Sequence, residues 1–322
     1  MKVSVCITTL NEEKNIGRLL TALLNQTKKA DEIIIVDGGS IDQSAKIVRH
    51  FQKKNKSIKF LKEKSSIAQG RNIGVGLAKN EIIAFTDAGC EPYPDWLEKI
   101  TYFFKYKEVG AVAGFYDMAA PTPLAAVIGC YLGIPEEKFD PVTFLPSNRS
   151  AAVRKSVWEE LGGFDERLKR AGEDTLFFSQ MVKRGIKIVR AKEARVLWFE
   201  IGELSLGDFF KKVAVYAEGD FRTGIWFHSS EGLMSHNIKI ILVFLRYLFF
   251  LFLLFKLLID FSLFWLIFDF LFFLAYLIWP IWKWRRILKK SAERLWLPLV
   301  QITADFGVMK GFLLAIFADL TK

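Results

Sequence analysis

The segment Phe85-Thr86-Asp87-Ala88-Gly89-Cys90-Glu91-Pro92 carries the first chemistry legible in the chain. The apolar run Ile82 to Phe85 reads as a strand, so the acid after it falls at the strand's carboxyl end. Open α/β sheets bind ligands at that rim. A carboxylate there can hold Mg²⁺ or Mn²⁺, and the metal can grip a diphosphate. The same Asp87 also suits capping of the Pro-rich turn that follows. A second acidic pair, Glu173-Asp174, follows Gly172 where a helix is expected to open. Acids are favoured at helix N-termini by the helix dipole, so this pair reads either as a helix start or as reactive carboxylates.

The elements that must position these acids follow from the hydrophobic pattern. Val3 to Thr8 reads as a buried strand. Ile16, Leu19, Leu20, Leu23 and Leu24 recur at helical spacing. Glu32 to Val36 is a second strand, closed by Asp37-Gly38-Gly39-Ser40, with Ser40 or Asp42 placed to cap the next helix. That helix carries an Ala45, Val48, Phe51 stripe, and Ser57 to Leu61 is a third strand. A helix with Gln69, Arg71 and Asn72 leads to the strand before Asp87. Such alternation predicts an α/β fold, Rossmann-like, with a mostly parallel sheet. The chain lacks GxGxxG after the first strand and lacks GxxxxGK[ST], which argues against a dinucleotide dehydrogenase and a P-loop NTPase. Further on we expect a helix over Pro94 to Tyr106 and a strand over Val109 to Phe115. A helix with a mobile loop is expected over 119–142, a strand over Leu145 to Val153, and a helix from Gly172 to about Arg184.

Composition bounds the partners. Of 322 residues, 52% are hydrophobic and 30 are Phe, an excess that lies mainly after residue 237. The net charge of +10 suits nucleic acid or anionic lipid, and the apolar final third favours lipid, since nucleic-acid binding explains the charge but not the spans; no nucleic-acid partner is expected. Three scattered cysteines suggest neither a disulfide framework nor a zinc site. The N-terminus runs straight into a strand, so no signal peptide is expected. Leu206 to Tyr216 reads as a basic amphipathic helix in the membrane interface, with Phe209 and Phe210 among acyl chains and Lys211 and Lys212 at lipid phosphates. Ile238 to Ile259 and Phe261 to Trp282 are each long enough to span a bilayer. Arg246, Lys256, Asp260 and Asp269 interrupt them or lie between them, and Arg246 with Asp269 is the pairing expected. The stretch from Lys283 to Lys290 holds five basic residues and places that loop, and the N-terminal domain, in the cytoplasm. Leu295 to Leu320 either spans or dips in as a re-entrant hairpin, with a span preferred. The expected organisation is a catalytic domain over 1–204, an interfacial helix and linker over 205–233, and a membrane region over 234–322 with two or three spans.

Five motifs in order then coincide: Thr8-Thr9-Leu10-Asn11-Glu12, Val36-Asp37-Gly38-Gly39-Ser40-Ile41-Asp42, Gly70-Arg71-Asn72-Ile73-Gly74, Thr86-Asp87-Ala88-Gly89, and Gly162-Gly163-Phe164-Asp165-Glu166 with Gly172-Glu173-Asp174. Together they resemble family-2 glycosyltransferases of the GT-A fold over roughly residues 1–200, in the membrane-anchored form known from bacteria and archaea. The segment Tyr216 to Gly224 is similar to the post-catalytic stretch of membrane-bound members.

The resemblance implies an inverting hexosyltransferase-like enzyme of cell-envelope glycan assembly, using a nucleotide-diphosphate sugar and Mg²⁺ or Mn²⁺. It implies that Thr8 and Glu12 line base and ribose, that Asp37 accepts hydrogen bonds from the nucleoside, and that Arg71 neutralises the diphosphate. Asp87 matches the first acid of the family's DxD motif. The sequence departs from the pattern at Gly89, where the second acid belongs, so the metal grip is thinner; Glu91 is placed to compensate, with His228 a remoter candidate. Asp174 matches the catalytic base, with Glu173 positioning it or the acceptor. Ser147, Asn148 and Arg149 are acceptor-side candidates. The expected acceptor is a hydroxyl of a lipid-linked saccharide. A polyprenyl-phosphate acceptor and a non-catalytic scaffold that binds nucleotide sugar stay open as alternatives.

Overall fold

Strand β1 (Val3–Thr9) is buried along almost its whole length, as a strand must be when both sheet faces are covered. Helix α1 (Ile16–Leu24) follows and buries Ile16, Leu19, Leu20 and Leu23. Strand β2 (Glu32–Asp37) is buried throughout. Helix α2 (Ser44–Lys54), strand β3 (Ile58–Lys62), helix α3 (Ile67–Leu77) and strand β4 (Ile82–Phe85) complete the alternation read from the sequence. Helix α3 opens with a capping box: Gln69 N–H donates to Ser66 Oγ at 3.3 Å, and Ser66 N–H donates to Gln69 Oε1 at 3.0 Å.

The computed structural model describes residues 1–226, 236–259 and 261–320. His228, Leu233 and Asp260 lie outside these. Past β4 the chain departs from the sequence expectation. Cys90–Pro92 is a short strand, β5, where a turn was expected. The helix expected over Pro94 to Tyr106 is α4 (Trp96–Thr101) continued by a 3-10 turn. Strand β6 (Val109–Met118) runs three residues longer than expected. The poorly patterned stretch after it holds helix α5 (Pro123–Leu132). Strand β7 is confined to Ala151–Arg154, so residues 145–150 form its irregular approach instead of a strand. Helix α6 (Lys155–Glu160) precedes α7 (Glu173–Lys183), and strand β8 (Lys187–Trp198) had no counterpart in the sequence reading.

The eight strands form one sheet in the order β3-β2-β1-β4-β7-β6-β8-β5. Strands β1, β2, β3 and β4 are parallel, β7 runs antiparallel to β4 and β6, β8 is parallel to β6, and β5 is antiparallel to β8. The sheet is therefore mixed, with its parallel half at the N-terminal side. Because β1, β2 and β4 are parallel, Thr9, Asp37 and Phe85 all end at the same rim, and Asp87 lies two residues beyond it.

Two compact units result among the described residues. The sheet unit comprises 1–119 and 138–200; the helical unit comprises 120–137, 201–226, 236–259 and 261–320. The helical unit contains α5, α8 (Leu206–Arg222), α9 (His236–Ile259), α10 (Leu263–Trp284) and α11 (Ser291–Leu320). Three helical stretches, Asn237–Ile259, Leu263–Trp284 and Ser291–Ala318, are long and apolar enough to cross a membrane. The third is one continuous helix running through Pro298, so a re-entrant hairpin is not formed.

Two expectations for this unit are corrected. Arg246 pairs with Asp305 of α11 instead of Asp269. Asp305 is also the acceptor for Tyr276 at 2.6 Å and for Gln301 at 2.8 Å, so a buried carboxylate meets its donors inside the bundle. Phe209 is fully buried against Val127, Trp284, Leu297 and Val300, not free to enter a lipid interface. Helix α8 instead packs closely on α11. A Cβ at Gly307 would lie 3.0 Å from Val213 Cγ1, and one at Gly311 would collide with the Ala214 carbonyl. Small residues of this kind let apolar helices approach backbone to backbone.

Candidate active site

The rim of the parallel half gathers most of the sequence candidates. Gly38 N–H donates to Thr9 O at 2.9 Å, joining the ends of β1 and β2. Asn11, the one non-glycine residue with positive φ (56°) among the described residues, turns the chain after β1. Its N–H donates to Ser40 Oγ at 2.8 Å and its side-chain oxygen accepts from Ile41 N–H at 2.9 Å. Glu12 N–H donates to Ser44 Oγ at 2.7 Å, and Glu12 Oε2 accepts from Asn15 at 2.8 Å. The two loops that carry Glu12 and Asp37 are thus held to each other. Asp37 is fully buried. Its Oδ1 accepts from Gly39 N–H at 3.0 Å and Ser40 N–H at 2.7 Å, while Oδ2 has no partner. Thr9 Oγ1 and Thr86 Oγ1 are buried without partners at the same rim. Unpaired buried polar atoms are rare and costly, and several at one strand-end rim suit a polar ligand.

Helix α3 reaches this rim because it carries glycine. A Cβ at Gly70 would lie 3.0 Å from Thr8 Cγ2, so a larger residue would press on Thr8 at the close approach that sets Arg71 beside β4. Arg71 is buried. Its Nη2 donates to Asp87 Oδ1 at 2.8 Å and its Nη1 pairs with Glu173. The amide orientation of Asn148 that satisfies both groups puts its oxygen 3.3 Å from Arg71 Nη1 and Nε. Asp174, next to Glu173 in the first turn of α7, accepts from Asn148 N–H at 3.3 Å and from Thr175 N–H at 2.8 Å. One guanidinium therefore joins three distant segments, and a buried cation of this kind requires such partners. The structure brings Asp87, Arg71, Asn148, Glu173 and Asp174 into one cluster.

The remaining candidates lie around it. Arg149 stacks over the Trp198 ring, 3.7 Å from its centroid, and donates to Ser147 Oγ at 3.0 Å. Glu91 accepts from Arg18 Nε at 2.7 Å, and Arg18 stacks over Phe199. Cys90 is buried. Burial first, then the neighbouring Asp87 carboxylate, push its thiol well above the usual range, so it is a packing residue and not a nucleophile.

A divalent cation fits these donors in kind. Asp87 is about one third exposed and gives only Oδ1 to Arg71, which leaves Oδ2 for a hard cation. Among the described residues no three His, Cys, Asp or Glu side chains are gathered as a metal centre. A cation at Asp87 would therefore take much of its coordination from diphosphate oxygens and water. Sequence reasoning missed Glu200, whose side chain packs against Gly89, because the strand leading to it was not recognised.

Known proteins agree with this architecture. The Glycosyl transferase family 2 profile matches residues 4–124. Glycosyltransferase AglE of Haloferax volcanii is 30% identical over 53% of this chain and 58% of its own. The O-antigen chain rhamnosyltransferase RfbN of Salmonella typhimurium is 30% identical over 61% of this chain and 66% of its own. The chain thus spans less than two thirds of either relative. Among solved structures, the mannosyltransferase PcManGT from Pyrobaculum calidifontis, in complex with GDP-Man and Mn²⁺, aligns with a TM-score of 0.61 at 19% identity, covering 96% of this chain and 86% of that one. S. aureus TarS 1-349 in complex with UDP-GlcNAc aligns with a TM-score of 0.51 at 22% identity, covering 69% and 67%. The sheet unit has the GT-A fold, and the chain carries a family-2 glycosyltransferase domain.

Proposed function

We propose that this protein transfers a sugar from a nucleotide-diphosphate donor to a hydroxyl of a lipid-linked saccharide, with inversion at the anomeric carbon. The observation that carries the reading is the buried Arg71 held between Asp87 and Glu173, with Asp174 beside it. Thr8, Glu12 and Asp37 bind the nucleoside, and Asp37 Oδ2 receives a ring N–H or ribose hydroxyl. Arg71 and Asp87 hold the diphosphate. Bound there, Mg²⁺ or Mn²⁺ supplies charge stabilisation to the departing nucleotide. Asp174 accepts the proton of the attacking hydroxyl, and its contacts with Asn148 and Thr175 N–H fix the carboxylate's aim. Glu173 keeps Arg71 in place, and Ser147, Asn148 and Arg149 border the acceptor.

The names of the compared proteins support this chemistry: neighbours are in complex with UDP-GlcNAc and with GDP-Man, and a rhamnosyltransferase is a relative. The membrane acceptor rests on the three helices able to span. A span confines the enzyme to the surface on which a lipid-linked acceptor diffuses, which raises effective concentration without new contacts. The basic loop after α10 supports a cytoplasmic catalytic domain. The test uses full-length protein in detergent, a panel of nucleotide-diphosphate sugars, and lipid-linked or water-soluble acceptors. Nucleoside diphosphate released only with a lipid-linked acceptor is expected. Equal release with soluble sugars would refute the membrane acceptor, and no release with any pair would refute transfer.

A further inference from the structure

Gly89 and Glu200 share one space from two sides. Gly89 stands two residues after Asp87, and its carbonyl accepts from Phe199 N–H at 3.2 Å. The chain just past β8 is thereby stitched to the turn that carries Asp87. A Cβ at Gly89 would lie 3.1 Å from Glu200 Cβ and 3.2 Å from Glu200 Oε2. Both separations are inside ordinary van der Waals contact. An aspartate at 89 therefore requires Glu200 to move. Conversely, the Glu200 carboxylate already stands where a side chain from 89 would begin. It is not a wandering surface acid, because Trp198 Nε1 donates to its Oε2 at 3.2 Å and the Trp198 side chain is buried.

Resting on the reading that Asp87 grips the diphosphate through a divalent cation, we propose that Glu200 supplies the second carboxylate of that site, in place of the acid absent at Gly89. The chemistry of the donor set is suitable. Mg²⁺ and Mn²⁺ prefer oxygen ligands in an octahedral array that keeps several waters. Two carboxylates from separate segments, diphosphate oxygens and water fill such a shell. Since two protein carboxylates alone close no centre, affinity for the bare cation is weak and rises when a diphosphate is present. Trp198 then acts as a positioning residue, orienting the ligand as hydrogen-bonded partners do at metal sites generally. The position Gly89 is small because Glu200 enters from the other side.

The experiment measures Mn²⁺ binding by electron paramagnetic resonance on full-length protein in detergent, alone and with UDP or GDP. Glu200→Gln keeps the volume and an acceptor for Trp198 but removes the charge. Loss of a partner of a metal ligand typically weakens binding about 10–100-fold, and loss of a direct ligand should cost at least about tenfold. Binding by Glu200→Gln within about twofold of the wild type overturns the proposal, as does wild type that binds no Mn²⁺ even with nucleotide. The paired variant G89D/E200A moves the acid back to the turn and guards against a variant that merely misfolds. Recovery of Mn²⁺ binding supports the exchange, and a pair as weak as Glu200→Gln overturns it. The readout needs no turnover, so failure of sugar transfer would count against the function and leave this result standing.

Discussion

Asn72 holds Phe164 by both of its backbone polar groups: the side-chain amide donates to Phe164 O and accepts from Phe164 N–H, each at 2.8 Å. A side chain on α3 thus acts as a strand partner for the turn that precedes α7. Gly163, at φ +78°, lies so close that a Cβ there would sit 2.9 Å from Asn72 Oδ1. Asn72→Ala should destabilise the protein by about 1–3 kcal/mol, since Phe164 is buried and loses both partners. Thermal unfolding in detergent checks this; an unchanged midpoint would show the clamp to be idle.

Arg71 lies beside that clamp. Arg71→Met leaves two carboxylates facing each other without their cation. Removing one partner of a buried pair typically costs about 3–5 kcal/mol, and part of that is relieved here because Asp87 is one third exposed. Arg71→Lys should keep the charge but lose the fork, so it should fold better than Met while binding the nucleotide less well than wild type. Denaturant unfolding and calorimetry with nucleoside diphosphate separate the two effects.

Asp174→Asn should lower turnover by about 10²–10⁴-fold while nucleotide binding persists. The amide keeps one acceptor oxygen for the shorter bond from Thr175 N–H and gives up the longer one from Asn148 N–H, so helix α7 keeps its start. Near-normal turnover would leave Asp174 as a helix-start residue only.

Acid stability should depend on Glu32. Burial alone would raise this carboxyl, but Lys59, the Ser4 hydroxyl and Lys79 N–H bind its charged form and together hold it below the usual range. A carboxylate depressed in the folded state contributes stability above its unfolded value of about 4.3 and loses it as pH falls through the lower folded value. Glu32→Gln should therefore weaken the protein at neutral pH and flatten its acid limb below about pH 4.3. Parallel unfolding curves for both proteins from neutral to acid would contradict this.

Orientation can be read with a single thiol. The native Cys6, Cys90 and Cys130 are buried, so background labelling is low. Arg286→Cys, in the loop after α10, should react with a membrane-impermeant maleimide from the cytoplasmic side alone. Reaction from the outer side of intact cells would reverse the topology.

The parallel half of the sheet was legible because its strands are uninterrupted apolar runs and its helices carry regular stripes. Strand β8 was not, because Lys187, Arg190, Lys192, Glu193 and Arg195 punctuate it. Those charges are tolerated through partners far along the chain: Arg195 pairs with Asp117 at 2.9 Å and Arg190 donates to Phe144 O. With β8 hidden, Glu200 was invisible and the neighbourhood of Gly89 looked empty. The partner of Arg246 was equally beyond the sequence, since three apolar helices offer several acids and only their rotation selects Asp305. The family resemblance, by contrast, named Arg71, Asp87, Glu173 and Asp174, which the fold then brought together.

Helix α5 lies inside the stretch of sequence that otherwise builds the sheet, yet Val127, Ile128 and Cys130 pack with Trp284, Leu297 and Val300. Recombination between relatives is constrained by that interleaving. A single crossover near residue 200 would exchange the helices but leave α5 shaped for partners no longer present. Chimeras should fold only when residues 120–137 travel with the C-terminal helices, so two crossovers must occur together. In lineages of such proteins, α5 and the terminal helices are expected to be inherited as one block.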